Sequence, residues 1–445
     1  MRVVIIGAGE VGTAVAENLA PNHNVVVIDT DDDRSEQVKY DLDVLTITGD
    51  GTSMGTLDDA DIGETDLFLA CTDDDRANIV ACGTAKAMSD PFTIARTKKV
   101  EYFRTWEDSD AAFDVDFMVC TDLQAAEDVV RVIELPTAIS VDPFVGGLVT
   151  MAEFKIDAES PVAGQTIADA DRFESLTFVG LFRNSEMKLP DGGSILQPGD
   201  QAVVVGSPRS VRTFASDIAP ETALTKPEDI VILGGGEVGY HTARLLEEQG
   251  YETRLIEEDE SRARELAEKL PGSVVINQDT TDVDFLAREN VAEADVVVTA
   301  LKTDEANLFG TVLTRRLGAD RVISVVERVD YVMLFTEIGA DVTVNPRKVT
   351  AKEISRFSYD SIAENIGVLD SDDAEVIELQ LTPGSDLTGA QIRELREGFG
   401  APLVIGAITR DRNLVTPRGD TILQAGDNVV AFVETDSVGR LTALA

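Results

Sequence analysis

A glycine-rich hexapeptide that follows an apolar run, Gly7-Ala8-Gly9-Glu10-Val11-Gly12, returns in the second half of the chain as Gly234-Gly235-Gly236-Glu237-Val238-Gly239. The repetition does not stop there. Val27-Ile28-Asp29 with Arg34 recurs as Leu255-Ile256-Glu257 with Arg262, and Asp50-Gly51-Thr52 as Asp279-Thr280-Thr281. Asp75-Arg76-Ala77-Asn78 matches Asp304-Glu305-Ala306-Asn307, and Ile195-Leu196-Gln197-Pro198-Gly199-Asp200 returns as Ile422-Leu423-Gln424-Ala425-Gly426-Asp427. A chain with this self-similarity is two copies of one two-part unit, and any fold must be built twice.

Each copy opens with alternating strand and helix signals. Residues 2–6 form an apolar, β-branched run that suits a parallel strand buried on both faces. Val11, Ala14, Val15, Asn18 and Leu19 then share one helical face. Strand-like runs follow at 24–28, 44–47, 66–70 and 91–95, separated by helix-length segments. This alternation predicts an α/β fold with a Rossmann-like, doubly wound parallel sheet. A long helix is expected at 121–135 and again at 347–365. The apolar positions Val129, Val130, Val132, Ile133 and Leu135 exceed what one helical face needs and predict pairing, within the chain and between chains. Residues 138–220 and 366–445 read as short strands broken by turn signals, giving each copy a small α+β C-terminal lobe. The expected domains are therefore 1–120, 138–220, 228–346 and 366–445, with Pro220 to Pro227 as the linker between copies.

The hexapeptides carry the chemistry. Gly7 allows a tight turn, Gly9 lets the backbone approach phosphates, and Gly12 permits close helix–strand packing. The helix that follows offers free N–H groups and a positive dipole end to an anion. Asp29 and Glu257 stand at the distance, about 20 residues on, where an acid binds ribose hydroxyls. An acid there argues against a 2′-phosphate, hence against NADP. Asp50 and Thr52 follow the third strand, where a plain turn explains them as well as a ligand contact does. Thr72, Asp73 and Arg96 follow the fourth and fifth strands, at the edge where open α/β sheets bind ligands, and Arg96 is suited to a phosphate. In the second copy Lys302 replaces Asp73, and Val325 replaces Arg96. The two sites are therefore expected to differ in affinity or ligand.

Composition narrows the rest. The 445 residues carry 82 acidic and 38 basic side chains, a net charge of −44. That surface repels phosphate backbones and anionic lipids, which excludes nucleic acid and nonspecific membrane adsorption. Acidity spread along the whole chain, with only 11 lysines, fits a protein adapted to high intracellular salt. No apolar run reaches the roughly 18–20 residues of a membrane span, and a cytoplasmic location is expected. Cys71, Cys82 and Cys120 lack metal-ligand spacing and read as buried thiols; His23 and His241 read as structural. No metal cluster, nucleophile–base set, P-loop or Tyr-x-x-x-Lys pair is present in the sequence, so binding without catalysis is expected. An NAD-dependent oxidoreductase with an unrecognised active site is the alternative, and an assembly module with vestigial sites is a third.

The glycine hexapeptide, the Gly-Asp-x-Thr turn at 49–52, the Thr-Asp-(x)₄-Asn element beginning at Thr72 and the small C-terminal lobe, taken in order, resemble an RCK (KTN) domain. Two such units in one chain resemble the regulatory subunits of Trk-type potassium transporters. The resemblance implies NAD(H) or ATP/ADP binding, a homo-oligomeric ring (dimer or tetramer), and gating of a membrane-embedded potassium-translocating partner at the inner face of the membrane. It also implies a first site of Gly7, Ala8, Gly9, Glu10, Val11, Asp29, Thr72, Asp73 and Arg96. The implied second site is Gly234, Gly235, Gly236, Glu237, Val238, Glu257, Ala300 and Leu301, where Gln278 and Val325 depart from the pattern.

Overall fold

The computed structural model describes the chain except at residues 22, 110–111, 136, 174, 185, 220–226, 356–362 and 369–373. In the first copy, β1 (Arg2–Ile6), α1 (Glu10–Leu19), β2 (Asn24–Asp29), α2 (Asp32–Asp41), β3 (Leu45–Thr48), α3 (Met54–Asp59), β4 (Leu67–Ala70), α4 (Asp75–Ser89), β5 (Phe92–Thr97), α5 (Val100–Glu107) and β6 (Phe117–Cys120) alternate. Helix α6 (Thr121–Glu134) leads into β7 (Ala138–Phe144), β8 (Val149–Lys155), α7 (Ile167–Ala170), β9 (Leu176–Arg183), β10 (Glu186–Lys188), β11 (Gln201–Gly206) and α8 (Pro208–Ile218).

The second copy repeats the series. Its first part is β12 (Ile230–Leu233), α9 (Glu237–Glu248), β13 (Thr253–Glu257), α10 (Glu260–Lys269), β14 (Val274–Asn277), α11 (Val283–Arg288), β15 (Val296–Thr299), α12 (Asp304–Leu317), β16 (Val322–Val325), α13 (Val332–Glu337) and β17 (Val342–Val344). It ends in α14 (Pro346–Ser355), β18 (Ala363–Val368), β19 (Ala374–Gln380), α15 (Ile392–Phe399), β20 (Leu403–Arg410), β21 (Asn413–Val415), β22 (Asn428–Glu434) and α16 (Val438–Thr442).

Both large sheets are parallel and six-stranded, in the orders β3-β2-β1-β4-β5-β6 and β14-β13-β12-β15-β16-β17. This is the doubly wound Rossmann order, with its crevice between β1 and β4 and between β12 and β15. Helices cover both faces, so Val3, Val4 and Ile5 are fully buried on alternating sides of β1. The outermost strands β6 and β17 are the parallel additions that short apolar runs at 117–120 and 342–344 did not announce. The small sheets are antiparallel, β10-β9-β11-β8-β7 and β18-β19-β22-β20-β21.

The chain divides into two compact units, Met1–Val130 with Glu228–Ser358, and Arg131–Pro227 with Tyr359–Ala445. Like parts of the two copies therefore join each other. In the first unit the helix that ends each parallel lobe crosses to the other lobe. α14 lies on α1, where Ala351 and Ile354 enter the core formed by Val11, Val15 and Val27. Leu245 of α9 packs against Cys120 and Leu123 at the start of α6. The helix expected at 347–365 is shorter than the sequence pattern suggests. It is described over Pro346–Ser355, residues 356–362 lie outside the described set, and by Ala363 the backbone is already paired antiparallel with β19. Val129, Val130, Val132, Ile133 and Leu135 are all buried within the single chain, so the apolar surplus assigned to a further partner is taken up there. The linker expected at 220–227 lies, Pro227 apart, outside the described residues.

In the second unit the repeated Gly-Asp turns are explained by a fork. The Arg183 guanidinium donates to both Asp200 oxygens at 2.7 Å, and Arg410 does the same to Asp427 at 2.7 and 2.8 Å. Each carboxylate is buried and takes a further backbone N–H from the turn, Gln197 or Gln424. The two small sheets meet face to face, and Gly180 leaves the space that Phe432 fills.

Candidate functional site

In the first lobe the glycine loop joins β1 to α1 beside the crevice. Gly7 has φ +103°, a region closed to side chains, and lies against the Thr72 backbone. A methyl at Gly12 would come within 1.9 Å of the Gly7 carbonyl oxygen. Gly9 differs from both: its φ is −77° and a Cβ there would meet nothing within 4 Å. Gly236 repeats this, with φ −60° and only the Ala300 oxygen at 4.0 Å. No internal contact requires glycine at either middle position. Open space above an α-helix N-terminus whose N–H groups have no side-chain cap is what an approaching phosphate needs.

The two acids expected from the sequence to face a ribose are held in place by backbone N–H groups. Asp29 accepts from Ala8 N–H at 2.6 Å and from Asp31 N–H at 2.9 Å. Glu257 accepts from Gly235 N–H at 2.7 Å and from Asp259 N–H at 2.8 Å. Two of about four lone-pair positions on each carboxylate are used, leaving the others for a diol. A methyl at Gly235, where the first copy has Ala8, would lie 2.3 Å from Leu266 Cδ1 and would require that side chain to shift.

Across the crevice, Asn78 fixes the loop after β4. Its Oδ1 accepts from Thr72 N–H at 2.9 Å and its Nδ2 donates to the Arg96 carbonyl at 2.9 Å. Asn307 does the same for Leu301 and Val325, and Ala300 stands beside the Gly234 turn. Arg96 is buried and donates to Thr121 Oγ1 at 3.0 Å, to the Thr72 carbonyl and to Asp73 Oδ1, both at 3.2 Å. Lys98, at 3.0 Å from Asp73 and ahead of Arg96, holds the Asp73 carboxyl below its ordinary range. Asp50 accepts from Thr52 N–H at 2.9 Å and Thr52 Oγ1 at 2.7 Å, a closed turn that lowers its own carboxyl and is repeated by Asp279 with Thr281.

The first lobe thus places the glycine loop beside Asp29 and Thr72, and Thr72 and Asp73 beside Arg96, while Asp50 and Thr52 spend their polar atoms on each other. Sequence reading missed Lys98, whose counterpart is Glu327, and Arg262. Arg262 donates to the Gly235 carbonyl and Glu237 Oε1, both at 2.9 Å, and ties down the second glycine loop. The repeated Arg34 was the signal, but in the first lobe that side chain only faces Asp31 at 3.7 Å. Cys71, Cys82 and Cys120 are buried free thiols, and burial pushes Cys71 up to about 12. His241 is buried, and desolvation lowers it to about 4. Among the described residues no helix is long and apolar enough to cross a membrane.

Two Rossmann lobes with paired glycine loops, each continued by a small antiparallel lobe, define a tandem chain of the RCK fold. Residues 3–115 and 230–346 match the TrkA-N domain, and 151–219 and 376–445 match the TrkA-C domain. The chain belongs to the TrkA family of Trk system potassium uptake proteins. It is 35% identical over 444 residues to Trk system potassium uptake protein TrkA homolog 1 of Methanosarcina mazei, covering 97% of both chains. Among solved structures it is similar to the GsuK channel bound to NAD, with TM-score 0.62, 20% identity and coverage of 100% of this chain and 79% of that one. GsuK bound to ADP matches with TM-score 0.50 at 15% identity, over 80% and 69% of the two chains.

Proposed function

We propose that this chain is a regulatory subunit, without catalysis of its own, that senses NAD(H) or ATP/ADP and gates a membrane-embedded potassium-translocating partner from the cytoplasmic face. The observation that carries nucleotide binding is the pair of middle glycines, Gly9 and Gly236, which the fold itself does not need. Gly9, Glu10 and Val11 would seat the phosphates, Asp29 the ribose, and Thr72, Asp73 and Arg96 the far wall. Gly234 to Val238, Glu257, Ala300 and Leu301 would form the second site. The four lobes, 1–120, 138–220, 228–346 and 366–445, are the working parts of this reading. A nucleotide shifts such an assembly by binding one arrangement better, typically by about 1–3 kcal/mol.

Calorimetric titration with NADH, ADP and ATP tests the reading. Asp29→Ala should weaken the tighter site about ten- to a hundred-fold, since charged hydrogen bonds to a ribose are lost. Glu257→Ala should cost less, because Val325 stands in place of Arg96. Equal losses, or a larger one at Glu257, would reverse the ranking of the sites. In the host, deletion of the gene should raise the external potassium needed for growth.

A homo-oligomeric ring, dimer or tetramer, is part of this proposal. Exposed apolar side chains gather on α12 and α13 as Phe309, Val312, Met333 and Leu334, with Met333 76% exposed, and a second copy is the partner that would cover them. Light scattering in high salt should find no monomer at micromolar concentration; a strictly monomeric species with and without nucleotide removes the ring.

A further inference from the structure

The exchange of crossover helices brings a charge from one copy to the glycine loop of the other. Arg347, second residue of α14, forms an ion pair through NH1 with Glu10 Oε2, the first residue of α1. Its Nε lies 3.2 Å from Glu327 Oε2, and its own N–H donates to Asn345 Oδ1 at 3.0 Å. Asn345 in turn donates to the Glu327 carbonyl at 3.1 Å, so the base of the side chain is fixed. Burial opposes the Arg347 charge, and Glu10, Glu327 and Asp73 together outweigh it. Two of those three acids, Glu10 and Asp73, belong to the first nucleotide site.

The pseudo-symmetric position is the second residue of α6, Asp122. It is desolvated and faces Glu327 and Glu237, which raises its carboxyl to about 6. The first glycine loop therefore receives a base from the opposite copy, while the equivalent helix position carries an acid. A guanidinium held beside a helix N-terminus by two half-exposed carboxylates, Glu10 and Glu327, is an anion position whose occupant can be displaced.

We infer that Arg347 is a ligand for the terminal phosphate of a nucleoside di- or triphosphate in the first lobe, with Glu10 holding its place until the nucleotide arrives. This rests on the nucleotide-sensing reading above and specifies its ligand. The phosphate takes over the Arg347 fork, Glu10 is released, and occupancy of the first lobe is tied to the start of α14.

Titration of the full chain with ATP, ADP and AMP, on the parent and on Arg347→Gln, Arg347→Lys and Glu10→Gln, tests the assignment. Arg347→Gln should weaken ATP and ADP about tenfold at the tighter site and leave AMP unchanged. Arg347→Lys should fall between, since a point charge replaces a bidentate fork. Glu10→Gln should tighten ATP several-fold by freeing Arg347. If Arg347→Gln leaves ATP unchanged, or weakens AMP by the same factor, Arg347 only joins the lobes and the assignment fails while nucleotide sensing stands. Failure of the parent chain to bind ATP or ADP overturns the assignment, and failure to bind NADH as well overturns nucleotide sensing.

Discussion

A Gly12→Ala chain is expected to melt on the order of 5–10 °C below the parent and to lose nucleotide binding in its first lobe, while Gly9→Ala melts with the parent and loses binding alone. The contrast follows from two distances. A methyl at position 12 sits 1.9 Å from the Gly7 oxygen and 3.1 Å from its carbon, backbone atoms that cannot rotate away. α1 must then lift from the β1 turn, and because Val11 and Val15 on that helix pack with Ala351 and Ile354, the strain spreads to the other copy. Overpacking of this kind costs about 3 kcal/mol, and each kilocalorie moves a unit of this size by roughly 2–4 °C. At Gly9 the added methyl meets no protein atom within 4 Å, and the backbone angle is one that alanine adopts freely. It occupies only the space assigned to a phosphate, and a loss of at least tenfold in affinity is expected. Differential scanning calorimetry together with titration separates the two. A Gly9→Ala chain that binds ADP and NADH as the parent does would remove the main support for a phosphate at this loop.

Much of this architecture could be read from the sequence because it depends on short-range rules used twice. The hexapeptide, its preceding strand and the acid at Asp29 or Glu257 are local, and the second copy confirmed each spacing. What escaped is what depends on contact between copies. Nothing in the neighbourhood of Arg347 signals that it faces the opposite glycine loop; that follows from the helix exchange, which brings residues far apart in sequence within an ion pair. β6 escaped because four residues, Phe117 to Cys120, are too few to show a period, and the strand exists by pairing with β5. The Gln-x-Gly-Asp turns were visible, but their purpose was not. Asp200 and Asp427 close onto Arg183 and Arg410, each 17 positions earlier in the chain, and only the antiparallel hairpin geometry brings them together.

In dilute buffer near neutral pH the chain is expected to lose far-UV circular dichroism and to regain it in molar KCl. A net charge of −44 on 445 residues is self-repulsion at close range. At about 0.01 M salt the Debye length is roughly 30 Å, so acids across a whole lobe act on one another; at 1 M it is about 3 Å and only contacts remain. The interior adds carboxylates whose charge the fold resists. Burial raises Glu375 to about 7, and burial with Glu327 and Glu237 raises Asp122 to about 6. For both, the folded chain holds the proton more tightly than the unfolded chain does. Their contribution to stability is therefore complete below the ordinary carboxylate range and is lost as pH rises through about 6 to 7. Acidification from pH 8 to about 5 should accordingly restore part of the structure that low salt removes. Further acid should undo the gain, because Asp200, buried but held low by Arg183, must then give up its fork. Glu375→Gln isolates the interior part: it should raise the melting temperature at pH 8 and leave it unchanged near pH 4.5, in low and high salt alike. A spectrum and melting temperature that stay constant from molar KCl down to about 0.01 M at pH 8 would show that the acidic surface is carried without cost, and the high-salt reading of this sequence would fall.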